Sequence, residues 1–253
     1  MTGRTFVLRP AFSRLLGACV TLLAACSSTA PTDKGQAAGA PMNSVELAQS
    51  DVNRLATLGM RDNLNGLMLL ADKLYRRNPS EWQKSRAANA PATREIALAR
   101  LRSSIDKREA WPELQGKRDI HALALALGPD FVGDRVAAFV YASADMLITA
   151  HEGKTTLYLT DSLDAQHIYN AARNIEIAVW MLASRRNAAG QPLLLADEIA
   201  NGERNLSFER EFGKIIGRLD LLALMLTEKY RRAVITYVQS VIGGTFLQFL
   251  PVR

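Results

Sequence analysis

The sequence predicts an all-α domain, a helical bundle or compact helical array of six to eight helices. Three observations carry this. Ala and Leu are abundant, while Val, Ile, Thr and Tyr dominate no long stretch, so helix formers outweigh strand formers. From Ser44 onward apolar residues recur every three or four positions, the interval that gathers side chains on one side of a helix. Pro, Gly and capping residues interrupt the pattern at distances suited to helices of ordinary length.

The elements follow in order. A first helix is capped at Ser44, runs through Leu47, Val52, Leu55, Leu67, Leu70 and Leu74, and ends near Asn78–Pro79. Ser80 starts a shorter piece. Pro91 opens another, through Ile96, Leu98, Leu101 and Ile105, which ends before Trp111–Pro112. An apolar run from Ile120 to Leu127 stops at Gly128–Pro129. Asp130 begins a helix reaching about Ala150, with Gly153 as its stop and Thr155 to Leu159 as a short extended connector. Asp161 or Asp164 caps the next helix, which reaches about Asn187 before Gly190 and Pro192; residues 190–205 read as loop with one helical turn at most. In the last segment Phe208, Phe212, Ile215, Leu219, Leu222 and Leu226 are spaced 4, 3, 4, 3, 4, and the series continues to Val241. That 3.5-residue rhythm predicts a long helix laid lengthwise in a bundle, with a break near Glu228–Lys229. Gly243–Gly244 are expected to end it, leaving Thr245 to Val252 as an apolar tail packed back on the bundle. The ordered positions of a tetratricopeptide repeat are missing.

Of the 253 residues, 48% are apolar and 22% charged, which places the chain among ordered globular proteins rather than disordered ones. The net charge of +6 falls to +3 once Arg4, Arg9 and Arg14 are set aside, because the first 25 residues contain no acid. The remaining basic groups, such as Arg76–Arg77 and Arg185–Arg186, are isolated pairs without aromatic interleaving. Nucleic-acid binding is therefore not expected.

The amino-terminal region has three zones: a basic one to Arg14, an uncharged one from Leu15 to Ala25, and then small residues before a cysteine. This is the layout of a secretory signal. Eleven residues of helix reach about 16 Å, roughly half a bilayer core, so the zone is too short for a stable span. At Leu23-Ala24-Ala25-Cys26 the sequence resembles the bacterial lipobox, and the resemblance covers the signal region only. A second match, Leu16-Gly17-Ala18-Cys19, follows Arg14 too closely to leave room for an apolar zone. The resemblance implies a signal peptide over residues 1–25, cleavage before Cys26, and lipidation of that thiol and of the new amino terminus. Several acyl chains anchor a protein firmly where one does not. Ser27 follows the cysteine where Asp would favour inner-membrane retention, so the resemblance implies an outer-membrane lipoprotein facing the periplasm. Residues 26–43, rich in Ser, Ala, Gly and Pro, read as lipidated cysteine and flexible linker, and residues 44–253 as the α-helical domain. With Cys19 removed and Cys26 acylated, the mature domain has no disulfide, thiolate ligand or thiol nucleophile.

Candidate chemistry gathers in the two central helices. Asp134 and Asp145 are eleven apart and are expected on one helix face among Ala, Val, Phe and Tyr. His167, Asn170 and Asn174 follow at i, i+3, i+7 in the next helix, beside the i, i+3 pair Arg173 and Glu176. Antiparallel packing of these helices would let Asp145 meet Arg173 or Asn174, since a carboxylate leaving water needs a partner and Arg offers two donors. Such a network either locks helix register or forms a polar ligand pocket with Arg173 as anion anchor. His121, His151 and His167 lie in separate segments, so no metal site is expected, and no cofactor loop or nucleophile elbow is present. The leading expectation is a non-enzymatic, membrane-tethered module that binds an envelope component or a small ligand. The alternatives are an enzyme using Asp134, Asp145, Arg173 and Glu176, and a purely structural envelope protein.

Overall fold

The computed structural model describes residues 43–84, 93–197 and 206–247. The chain divides into two units, Met1–Asn43 and Ser44–Arg253. Of the first only Asn43 is described, so the signal peptide, Cys26 and the linker lie outside the described residues.

The second unit is all-α, with seven helices among the described residues: α1 (Asp51–Arg77), α2 (Pro79–Lys84), α3 (Arg94–Lys107), α4 (Asp119–Ala126), α5 (Arg135–Ala150), α6 (Ala165–Ser184) and α7 (Ser207–Leu247). Short 3₁₀ turns precede α1 and α4. The compact helical array anticipated from periodicity is what the chain forms.

Helix starts are set by capping chemistry. Ser50, Thr93 and Asp164 each sit in extended backbone and accept a hydrogen bond from an amide of the following turn, satisfying donors that the helix itself leaves open. Ser44 caps no α-helix; it opens a 3₁₀ turn, and α1 begins at Asp51. The fifth helix starts at Arg135 rather than Asp130, because Asp134 is its cap: the carboxylate oxygen Oδ1 accepts from Ala137 N at 3.0 Å. The connector between α5 and α6 is irregular rather than extended. It is stitched to the start of α1, where Asn53 Nδ2 donates to the carbonyls of Tyr158 and Asp161, and Thr57 Oγ1 accepts from Leu157 N. Gly153 takes φ +74°, a conformation that suits a residue without Cβ at the helix exit.

The centre of the domain is α5. Val136, Phe139, Val140, Leu147 and Ile148 are buried together with several alanines, so the helix is apolar nearly all round, as an interior helix must be. It packs on α1, α2, α3, α4 and α6. Phe139 meets Phe212 of α7 edge-on, ring centroids 6.3 Å apart. The last helix closes the array against α6 and α1, burying Phe208, Phe212, Ile215, Leu219, Leu222 and Leu226. It does not break near Glu228–Lys229, and it carries on through Gly243–Gly244 to Leu247. No described helix is long and apolar enough to cross a membrane. Gln248 to Val252, and with them most of the expected tail, lie outside the described residues.

Candidate functional site

The polar residues anticipated as one cluster occupy three separate places. Asp134 is buried between α1 and α5, where Tyr75 Oη donates to its Oδ2 at 2.6 Å. Because it is the cap of α5 rather than a residue on its face, Asp134 does not share a surface with Asp145. Burial raises the Asp134 carboxyl to a pKa of about 6, against the pull of its bonds to the Ala137 amide and the Tyr75 hydroxyl. The same burial, reinforced by Asp134, pushes the Tyr75 phenol far above its usual range. Nearby, Glu81 accepts from the Arg135 amide at 2.9 Å, and the Arg135 guanidinium donates to the carbonyls of Ala126, Gly128 and Pro129. These bonds account for the polar groups closed into this part of the core.

Arg173 lies at the contact of α6 with α7 and reaches both carboxylate oxygens of Asp220 at 2.8 Å, with Glu176 at 3.2 Å. Its guanidinium also stands 4.9 Å from the Tyr169 ring centroid. Asn170 is exposed and accepts from Gln166, Asn174 is half-buried, and exposed His167 places Nδ1 3.1 Å from Glu152. None of these is the partner of Asp145. The expected Asp145–Arg173 meeting does not occur because the acid from α7, out of reach of local periodicity, takes the arginine. Among the described residues no three His, Cys, Asp or Glu side chains gather where they could hold a metal ion.

Asp145 belongs instead to a cleft between α5 and the segment joining α3 to α4. Its two oxygens accept from Arg118 Nε and Nη2 at 2.9 and 2.8 Å, and Nη2 also donates to Thr149 Oγ1. This bidentate pair raises the Arg118 guanidinium further above its usual value. The cleft holds about 410 Å³ and is lined by Arg108, Trp111, Leu114, Lys117, Tyr141 and Asp145, among others. That volume is within the range that encloses small organic ligands.

Its floor is aromatic. Trp111 and Tyr141 have ring centroids 5.6 Å apart, and the Arg100 guanidinium lies 5.5 Å from the Trp111 ring. Burial raises the Tyr141 phenol, which keeps its proton and donates to the Glu109 carbonyl. The Trp111 indole Nε1 is buried and has no hydrogen-bond partner among the described residues. A closed-off donor of that kind costs on the order of 1–3 kcal/mol until something accepts from it.

The backbone of the cleft is unusual. Arg108, Gln115 and Asp119 all take positive φ, at 57°, 54° and 52°, within one twelve-residue segment that also includes Gly116 at 70°. Left-handed conformations in side-chain-bearing residues cost of order 1 kcal/mol or more each and cluster where a site needs them. Arg108 caps α3 in this way, and its side chain is fixed by donation from Nη1 to the Gly153 carbonyl at 2.8 Å. Sequence reasoning treated Trp111–Pro112 only as a helix terminator and overlooked Arg108, Lys117, Arg118 and Tyr141. The available signal was the concentration of Arg, Lys and an isolated Trp around Gly116 in a loop.

Chemically, the cleft pairs an aromatic floor with surplus positive charge. Arg118 neutralises Asp145, leaving Arg108 and Lys117 to face an incoming group. Asp145, held by two donors, is poorly placed to abstract a proton. No protein-family model, curated protein or solved structure matches the chain.

Proposed function

We propose that this chain is an envelope lipoprotein, fastened through Cys26 to the outer membrane and facing the periplasm, whose helical domain binds an anionic envelope component or small ligand without turning it over. The observation that carries the binding role is the Trp111–Tyr141 cleft, with the cations Arg108 and Lys117 in its lining. A ligand with a planar or apolar body would rest on the two rings, and its anionic group would face Lys117 and Arg108. The tether is supported by Leu23-Ala24-Ala25-Cys26 after an uncharged eleven-residue zone.

The binding role is tested by calorimetric titration with 2-naphthalenesulfonate, an aromatic anion of suitable size. Lys117→Glu and Trp111→Phe should each weaken binding at least about tenfold, a loss of about 1.4 kcal/mol, with folding preserved for Lys117→Glu. Equal affinity in both variants would place the ligand elsewhere. For the tether, Cys26→Ser is expected to accumulate unprocessed precursor and to incorporate no labelled fatty acid. Normal labelling of that variant would reject Cys26 as acceptor.

A further inference from the structure

The apolar series on α7 outlasts the core it serves. Its last buried member is Leu226, and no side chain from Thr227 to Ser240 is buried. Apolar residues nevertheless continue with Tyr230, Val234, Ile235, Tyr237 and Val238; Val234 is 64% exposed and Tyr237 71%. At 100° per residue, Val234, Ile235, Tyr237 and Val238 span an arc of about 160°, with Thr236, Gln239 and Ser240 opposite. The centre of that arc is turned by about 80° from the face that Phe212, Leu219 and Leu226 press on α6 and α1, with Tyr237 at the edge that lines up with that face. The distal face therefore prolongs the core seam through Tyr230 and Tyr237 and widens it with Val234, Val238 and Ile235.

Charge identifies what covers it. Ser207 to Arg232 contains ten charged residues, whereas the twenty residues from Ala233 to Val252 contain none. At the composition of this chain a stretch of twenty would carry about four. A second copy packed as a coiled coil would cover one face and leave the others in water, where such helices carry Lys and Glu. Here charge is missing from the whole circumference at once, polar side included. Lipid explains that loss, because it penalises charge and tolerates uncharged Thr, Ser and Gln near its surface. The run begins directly after Arg231–Arg232, whose long side chains suit the phosphate level of a bilayer, and Tyr230 and Tyr237 bring rings of the kind that settle at that boundary. No described helix is long and apolar enough to cross a membrane, and Val234, Ile235, Tyr237 and Val238 gather on one side, so contact is drawn along that side of the helix.

We propose that α7 from Ala233 onward is a lipid-contacting helix that lays Val234, Ile235, Tyr237 and Val238 into the surface of an anionic bilayer. This contact is independent of the lipid on Cys26 and does not rest on the binding role of the cleft.

The test uses the full chain carrying Cys19→Ser and Cys26→Ser, with an environment-sensitive fluorophore on a single cysteine introduced by Val238→Cys or, as a control, by Arg210→Cys. Vesicles of phosphatidylethanolamine and phosphatidylglycerol are prepared with and without doxyl groups on the acyl chains. The apolar zone from Leu15 to Ala25 can itself bind vesicles, so the readout is local quenching rather than co-sedimentation. At position 238 doxyl lipid should lower emission roughly threefold, the control position should not respond, and Val234→Glu with Ile235→Glu should restore the signal. Because these side chains lie outside the core, that double variant should keep the thermal midpoint of the parent. An unquenched fluorophore at 238 overturns the proposal. Sedimentation equilibrium then tells whether a second copy, dissociated by the same double variant, covers the face instead.

Discussion

Asp134 links folding to protonation at a single atom pair. Its folded pKa of about 6 lies above the ordinary carboxyl value of 3.8, so between those limits the native state holds a proton that the unfolded chain has lost. Stability must then fall as pH rises from about 4 to about 6 and level off above, by at most about 3 kcal/mol. His151 works in the other direction. Burial holds its imidazole below its usual pKa, against the pull of the bond from Nδ1 to the Leu147 carbonyl, so the folded state loses stability as pH drops below the unfolded value of 6.5. Asp134→Asn should remove the first slope and leave the second, which urea titrations across pH 4–8 would reveal; an unchanged slope between pH 4 and 6 would place the linkage on another group. None of this was legible in the sequence. Asp134 was recognised as chemically notable, but its partner Tyr75 lies 59 positions away, and no local pattern announces such a pair.

At the scale of the element, α7 is two helices in function and one in backbone. Phe212 is buried against Phe139, whereas Val234 stands in open surroundings, although both belong to the same apolar series. Phe212→Ala should therefore destabilise the domain by about 3–5 kcal/mol, while Val234→Ala in water should stay within about 0.5 kcal/mol. Chemical denaturation of the two variants makes the comparison, and similar losses would mean that the distal half is packed on the body. Helix identities were readable because periodicity and caps are local: Asp164 and the stop at Gly128–Pro129 act within a turn, while Pro91 stood two residues ahead of the actual cap, Thr93. The expected ends of α7 failed for a related reason. Gly243–Gly244 carries only a propensity cost, about 1 kcal/mol per residue, which does not by itself stop a long helix.

At the scale of the whole domain, the class of fold followed from composition and rhythm, yet the pairing of helices did not. Asp145 and Arg173 seemed natural partners while only adjacent helices were considered; in the folded chain Arg118 and Asp220 claim them. The cleft was hidden for the same cause, since Trp111 and Tyr141 meet across thirty positions and its left-handed turns leave no periodic trace. The closing contacts are the most distant of all. Arg218 of α7 donates to Asn63 of α1, and Ile215 lies against Gly66, so the last helix completes the cover that α5 begins over the first. During synthesis the hydrophobic interior can seal only after α7 has emerged as far as Leu226. So late a closure makes folding slow and leaves apolar surface open in the meantime.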